Sequence, residues 1–175
     1  MDITRAANVF GALALSLADD IINAASSLAP EAGPAASALV LLGHDPGSSI
    51  RTLAAGVGLS HAGAVRLVDR LVADGLVERR SHAIDGRTRS LHLTPKGLQV
   101  CAAVVQARDN VLMRGLASLS RQEVEVLGQL SERVLRAGLR DADHGARTCR
   151  LCHHERCRKC PVDAELKARG LAASP

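Results

Sequence analysis

"SIRTLAAGVGLSHAGAVRLVDRLVADGLVERR", residues 49–80, reads as two short helices, a tight turn between them and the start of a strand. Ser49 is placed to cap the first helix, Gly58 to break it and Ser60 to cap the second. A short side-chain oxygen satisfies the free N–H groups of a helix start, and glycine accepts the backbone angles of a helix end. On the second helix Ala64, Leu67, Val68 and Leu71 recur at i, i+3, i+4 and i+7, a single apolar stripe that must face a core. His61, Ala62, Val65, Arg66 and Arg70 are left toward the other side. Ala54, four residues before Gly58, is small enough to let the two helices approach closely.

Outward from this stretch the period changes. "LVERR" and "RSLHL", residues 76–80 and 89–93, are short strand candidates, and Asp85-Gly86-Arg87 sits near the tip of the loop between them, so the segment predicts a β-hairpin. Thr94 and Pro95 form the cap and first residue of a helix running to about Leu116. Ser120 and Glu123 make a capping box for another, ending near Leu139. Upstream, residues 3–29 predict a long helix and 34–43 a second, with Pro34 in its first turn. No internal repeat is visible. The expected fold class is mainly α with a small β-hairpin wing.

Composition agrees with that class. The 175 residues are 47% hydrophobic with one Phe and no Trp or Tyr, so the core is built of Leu, Val, Ile and Ala, which favours helices over a β-sandwich. Charge is uneven: net −4 for residues 1–47, +4 for 48–100, +1 for 101–148 and +3 for 149–175. A basic segment on an acidic-to-neutral body suits a polyanion, although an excess of this size is also what a solvated face carries. The apolar run near the N-terminus lacks a basic leader and is followed by Asp19 and Asp20, so it reads as an amphipathic helix, not a signal peptide. No run reaches the eighteen or so uninterrupted apolar residues of a membrane span. A cytoplasmic, reducing location is expected.

Helix, short turn, helix and basic hairpin is the order of a winged helix-turn-helix. "LAAGVGLSHAGAVRLVDRLVADGLVERR", the "DGR" of the wing and the "LTPKG" after it resemble the MarR family of bacterial transcriptional regulators, in detail over roughly residues 36–100. The resemblance implies a sequence-specific DNA-binding regulator, a repressor by preference and not an enzyme. It acts as a homodimer whose first and last long helices interdigitate, with two winged lobes in successive major grooves of a palindromic operator. Its usual inducer is a small, often aromatic anion, and no pocket for one is identifiable here.

The implied organisation is an N-terminal dimerisation helix (1–33), a DNA-binding lobe (34–100), C-terminal dimerisation helices (101–141) and a cysteine-rich tail (142–175). On that footing Ser60, His61, Ala62, Gly63 and Val65 approach base edges and Arg66 and Arg70 lie along phosphates. Arg87, oriented by Asp85, enters the minor groove from the wing, with Arg89 behind it. The sequence departs from the family at Ala62, Gly63 and Val65, which offer methyl contact but almost no hydrogen bonds. Gly63 also costs up to about 1 kcal/mol against Ala so near a helix start, which closer approach to the DNA backbone would offset. Two plainer readings stay open: Arg66 and Arg70 as partners of Asp69, Asp74 or Glu78, and His61 as an exposed residue that touches nothing.

The tail poses a separate question. Four of the five cysteines fall in "CRLCHHERCRKC", residues 149–160, and only Cys101 lies elsewhere, on an apolar helical face that suits core packing. Cys149, Cys152, Cys157 and Cys160 form two Cys-x-x-Cys pairs, a spacing that turns both sulfurs of a pair toward one ion. Zinc is the first reading, with His153 or His154 as alternative ligands because the gap between pairs is short. A reversible dithiol comes second and an iron–sulfur cluster third. The tail reads as an appendage to a finished domain, with "PVDAELKAR" as a short helix within it; having no evident route to the recognition helix, it reads first as a structural clip and second as a metal- or redox-responsive sensor that controls DNA binding. A dithiol oxidoreductase and a protein-binding winged-helix module are the rival classes. The first lacks a βαβ context, and Arg87 at the wing tip counts against the second.

Overall fold

The apolar stripe of residues 64–71 lies at the centre of the molecule, with Ala64, Leu67, Val68 and Leu71 at most 1% exposed. The computed structural model describes residues 2–30, 33–81, 89–157 and 159–171. In chain order these form α1 (Ile3–Ser26), α2 (Pro34–His44), α3 (Ile50–Val57), α4 (His61–Ala73), β1 (Val77–Ser81), β2 (Arg89–Leu93), α5 (Pro95–Leu116), α6 (Arg121–Gly138), α7 (Ala142–Cys149) and α8 (Pro161–Ala168). A 3-10 turn, His154–Arg156, precedes α8. This is the mainly helical class with a two-stranded antiparallel wing that the sequence predicts.

Local chemistry accounts for the boundaries. Ser49, Ser60 and Thr94 each accept a hydrogen bond from the backbone N–H three residues on, at 3.1, 3.2 and 3.0 Å. Ser120 and Glu123 complete the capping box: the Ser120 N–H donates to the Glu123 carboxylate at 2.8 Å, and the Glu123 N–H to the Ser120 hydroxyl at 3.4 Å. Gly58 ends α3 in the left-handed region at φ 72°, and the Leu59 N–H returns to the Ala54 carbonyl at 3.0 Å. A side chain other than glycine is strained there. Ser60→Ala is expected to lower stability by about 1 kcal/mol, the usual worth of an N-cap. Urea unfolding measures it, and an unchanged midpoint would mean that packing alone holds the start of α4.

Around the stripe, Leu39 and Leu42 of α2, Leu53 of α3, and Leu76, Val77 and Leu91 at the hairpin close the main core. In the wing Val77 pairs with Leu93 and Arg79 with Leu91, so alternate residues of each strand face that core. The Thr94 hydroxyl donates to the Gly75 carbonyl at 2.7 Å and the Thr94 N–H to the Leu76 carbonyl at 3.0 Å, which seats α5 directly beneath the wing. Ala25, Ala36, Val40 and Val104 form a second cluster where α1, α2 and α5 meet. Cys101 is partly buried against both clusters, as expected of a packing residue, and burial pushes its thiol pKa up.

Three features depart from the sequence reading. The first helix stops at Ser26, three residues short of the expected end. That helix also contains an 18-residue window of mean hydropathy 1.3, so by length and composition alone it is apolar enough to cross a membrane, although it holds no uninterrupted apolar run of that length. Its inner side packs along α5 and reaches the second core cluster through Ala25.

The third departure is the tail, which is no loose appendage. An unexpected helix, α7, starts at Asp141, whose carboxylate accepts from the His144 N–H at 2.7 Å, and packs against α3. Gly56 of α3 permits the approach: a Cβ there would meet Leu41 at 2.7 Å and Ala146 at 3.8 Å. The Arg147 guanidinium reaches the Ala55 carbonyl at 3.5 Å. Leu139, Val162 and Leu166 then join α8 to the end of α6 in a small third core, with Cys149 and Cys160 at its edge. The tail therefore does have a route to the helix-turn-helix, through α3.

Candidate nucleic-acid interface

Burying Ala64, Leu67, Val68 and Leu71 fixes the rotation of α4, and the remainder of that helix becomes the outer face. His61, Ala62, Arg66, Asp69 and Arg70 are exposed, and Gly63 and Val65 are half-buried beside them. Ser60 is occupied as the cap. Arg66 and Arg70, four residues apart, are separated by about 6 Å along the helix axis, close to the spacing of successive phosphates on one strand.

Two acidic neighbours of this face, Asp69 and Glu78, are engaged by arginines of the wing. Asp69 accepts from the Arg79 guanidinium of β1 at 2.6 Å. Glu78 accepts from Nε of Arg80, two residues along the same strand, at 2.8 Å. Among the described residues Arg66 has no ion-pair partner. The Arg79–Asp69 pair leaves no signal in the sequence. Half-exposed as it is, it contributes at most about 1 kcal/mol to stability, and it joins the wing to α4. Lys96 of α5 ties that helix to the end of α4, donating from Nζ to the Asp74 carbonyl at 2.9 Å. Arg89 opens β2 opposite Ser81. Asp85 and Arg87, expected at the wing tip, lie outside the described residues.

A second polar cluster lies on the opposite side of the lobe, where the tail crosses α2 and α5. Asp109, a largely buried carboxylate, accepts from Arg108 at 2.9 Å, pairs with His153 Nδ1 at 2.7 Å and has the Arg156 guanidinium 3.7 Å away. Burial pushes its pKa up, but the hydrogen bonds from His153 and Arg108 outweigh that and hold it below the usual carboxylate value. Because the folded value is the lower one, the contribution to stability is complete above the ordinary carboxylate range, about pH 4, and is lost as pH falls through the lowered value. His154 stacks obliquely on His44 at the end of α2, ring centroids 4.8 Å apart. Burial, then the neighbouring His154, pushes the His44 pKa down.

Neither Asp109 nor His44 carries a sequence signal that marks it. Of the other scattered histidines, His92 meets the Ser90 hydroxyl at 3.2 Å within β2.

The four tail cysteines come together beside this cluster. The Cys149 thiol lies near those of Cys152 and Cys160, and Cys157 near Cys160. The neighbouring Cys149 thiol, assisted by Arg108 and His154, pulls the Cys152 thiol down to about 6 against the opposing effect of burial. Burial and the Cys160 sulfur push Cys157 up to about 11. As the side chains stand, no group of three or more His, Cys, Asp or Glu among the described residues is placed to hold a metal ion.

Comparison with known proteins bears on the winged segment. Residues 32–88 match the MarR family model. The HTH-type transcriptional regulator BilQ of Clostridium symbiosum is 44% identical over 59 residues, covering 34% of this chain and 41% of that protein. The transcriptional repressor MprA of Escherichia coli is 32% identical over 100 residues, covering 56% of this chain and 57% of the repressor. The matches thus span between two-fifths and three-fifths of these relatives' lengths.

In three dimensions the chain resembles RV1404 from Mycobacterium tuberculosis, with a TM-score of 0.70 and 21% identity, over 80% of this chain and 97% of the other. The sequence relatives are regulators, in agreement with the expectation of a non-enzymatic chain. The helix-turn-helix and wing thus match the MarR family model, and the fold that carries them is similar to RV1404 over most of the chain.

Proposed function

We propose that the chain is a DNA-binding transcriptional regulator of the repressor type, acting in the cytoplasm as a homodimer on a palindromic operator. The observation that carries this reading is the outer face of α4. An arginine without an ion-pair partner among the described residues stands in line with a second exposed arginine, on a helix whose rotation is fixed by four fully buried residues. Such a face can lie along a phosphate edge while its N-terminal residues, His61 and Ala62, approach the bases. The names of BilQ and MprA support regulation, and that of MprA supports repression.

The dimer is supported by α6, an 18-residue helix with no buried residue and a continuous apolar stripe. Two lobes held one helical turn apart are what a palindrome requires.

Base readout on this reading is thin. Ala62 and Val65 offer methyl groups to thymine, and Gly63 offers only backbone, so affinity rests mainly on phosphate contacts. Arg66→Ala is expected to weaken binding to the DNA upstream of the protein's own coding region about equally for matched and mismatched sequences. It should also reduce the slope of log K against log salt by about 1 for each phosphate that the arginine neutralises in the parent complex. Fluorescence anisotropy across a salt series measures both. Unchanged affinity and slope would remove α4 from the groove.

A further inference from the structure

We propose that Cys149, Cys152, Cys157 and Cys160 are the ligands of one tetrahedral Zn²⁺ site whose occupancy locks α7 against α3 and thereby raises operator affinity. The second half of that statement rests on the DNA-binding reading; the site itself does not.

Folding brings the two Cys-x-x-Cys pairs to one place. Cys149 ends α7 and Cys160 caps α8, and the Cys152 N–H returns to the Cys149 carbonyl at 2.9 Å, which bends the chain between the first two thiols. The 3-10 turn does the same before the second pair, its last N–H, from Cys157, reaching the His154 carbonyl at 2.9 Å. Cys149 and Cys160 pack against the same small core, and Cys152 lies near Cys149 as Cys157 lies near Cys160, so the four sulfurs are neighbours. Zn–S bonds of about 2.3 Å set neighbouring sulfurs about 3.8 Å apart, close to the separation at which thiols hydrogen-bond. As the side chains stand they do not converge on one point, so metal entry asks the four of them to turn inward between the two backbone turns.

Of the two histidines that sequence alone leaves as alternative ligands, His153 is engaged by Asp109 and His154 stacks on His44. That favours four thiolates over a mixed set. Four thiolates and Zn²⁺ leave a formal charge of −2, and Arg108, Arg150, Arg156 and Lys159 lie on or beside the knuckle to offset it.

Coupling follows from what the knuckle is fastened to. On one side His153 ties it to Asp109 of α5, and Leu151 packs into the core shared by α1, α2 and α5. On the other side α7 lies on α3, the first helix of the helix-turn-helix, through Gly56 and Arg147. A closed knuckle makes α3, α7 and α5 one rigid block. An open one leaves α7 held on α3 by packing at Gly56 and one weak hydrogen bond, and on α8 by packing at Gly145, so α3 and α4 behind it are less firmly backed. Because metal binds the closed form, it shifts the lobe toward that form by its differential affinity.

The test uses the full-length protein purified under reducing conditions without added metal, with zinc itself as the probe. Elemental analysis is expected to give about one zinc per chain, set by the four-coordinate site. Cobalt(II) replacing it should show the thiolate charge-transfer absorption of a tetrahedral sulfur site. Cys149→Ser together with Cys152→Ser should abolish both. As this variant can misfold, chelation of the wild type provides a second measurement: metal removal should weaken operator binding about 5-fold or more, restored by one equivalent of zinc.

Failure to retain or take up stoichiometric metal, recovery of iron instead, or pairs isolated as disulfides would overturn the site. Stoichiometric zinc with operator affinity unchanged by chelation would overturn the coupling. Stoichiometric zinc in a protein that binds no DNA in either form would also end the coupling, but as a failure of the DNA-binding reading, with the metal site intact.

Discussion

Gly97→Ala is expected to destabilise the fold by about 3 kcal/mol or more, although the same exchange in an open helix is favourable. A Cβ at position 97 would lie 2.0 Å from the Leu76 carbonyl oxygen and 3.0 Å from its carbon. These are backbone atoms at the turn between the recognition helix and the wing, and they cannot yield as a side-chain tip can. The same carbonyl accepts the Thr94 N–H at 3.0 Å, and Leu76 is 2% exposed in the main core, so it is anchored from both sides. Relief requires α5 to lift from the wing, which breaks that hydrogen bond and opens the core beneath.

Against this stands the helix-propensity gain of Ala over Gly, about 1 kcal/mol, too small to compensate. Gly115, near the other end of α5 with nothing within 4 Å, is the internal control; there Ala should stabilise by up to about 1 kcal/mol. Thermal unfolding should show a drop of roughly 10 °C for Gly97→Ala, at about 2–4 °C per kcal/mol for a chain of this size. Equal effects at the two positions would show that the approach of α5 to the wing is looser than the structure has it.

The part of the fold nearest residues 49–80 is the most legible in the sequence because each signal there is local. Ser49, Ser60, Thr94 and Ser120 cap helices within three residues of themselves, and the stripe from Ala64 to Leu71 repeats with the helix period. Interactions that join distant segments leave no such trace. Arg79 and Asp69 are ten residues apart, and the Asp109–His153 pair spans forty-four. Nothing periodic connects either pair, and both decide how the site is held. Helix α7 is hidden for a different reason: "ADHGARTC" is only eight residues long and its packing face is Gly145, Ala146 and Arg147, so no apolar stripe marks it. With α7 overlooked the tail looks detached, and its contact with α3 is invisible.

Placing Asp at both Leu130 and Val134 is expected to convert the protein from dimer to monomer and to abolish high-affinity operator binding while leaving each winged lobe folded. Helix α6 carries Val126, Leu127, Leu130, Val134 and Leu135 between 38% and 53% exposed, and α1 carries Val9, Phe10, Leu13 and Leu15 between 47% and 69%. These two terminal helices hold the largest share of exposed apolar side chains among the described residues, and a contiguous patch of that kind marks an interface. Burying one such side chain is worth about 1.5–3 kcal/mol, and in a two-fold dimer each contributes twice.

A carboxylate forced into that surface without a partner costs several kcal/mol, again twice over, which at about 1.4 kcal/mol per decade raises the dissociation constant by at least roughly a thousandfold. The lobe should tolerate the change because α6 contributes no residue to the main core, so helix content and the unfolding midpoint of the lobe should stay near the parent's. Sedimentation at micromolar concentration and binding to a two-half-site duplex give the two readouts. A parent protein that is monomeric there, or a variant that remains dimeric, would separate the DNA-binding face from the architecture proposed to present it, since one lobe alone can hold only one half of a palindrome.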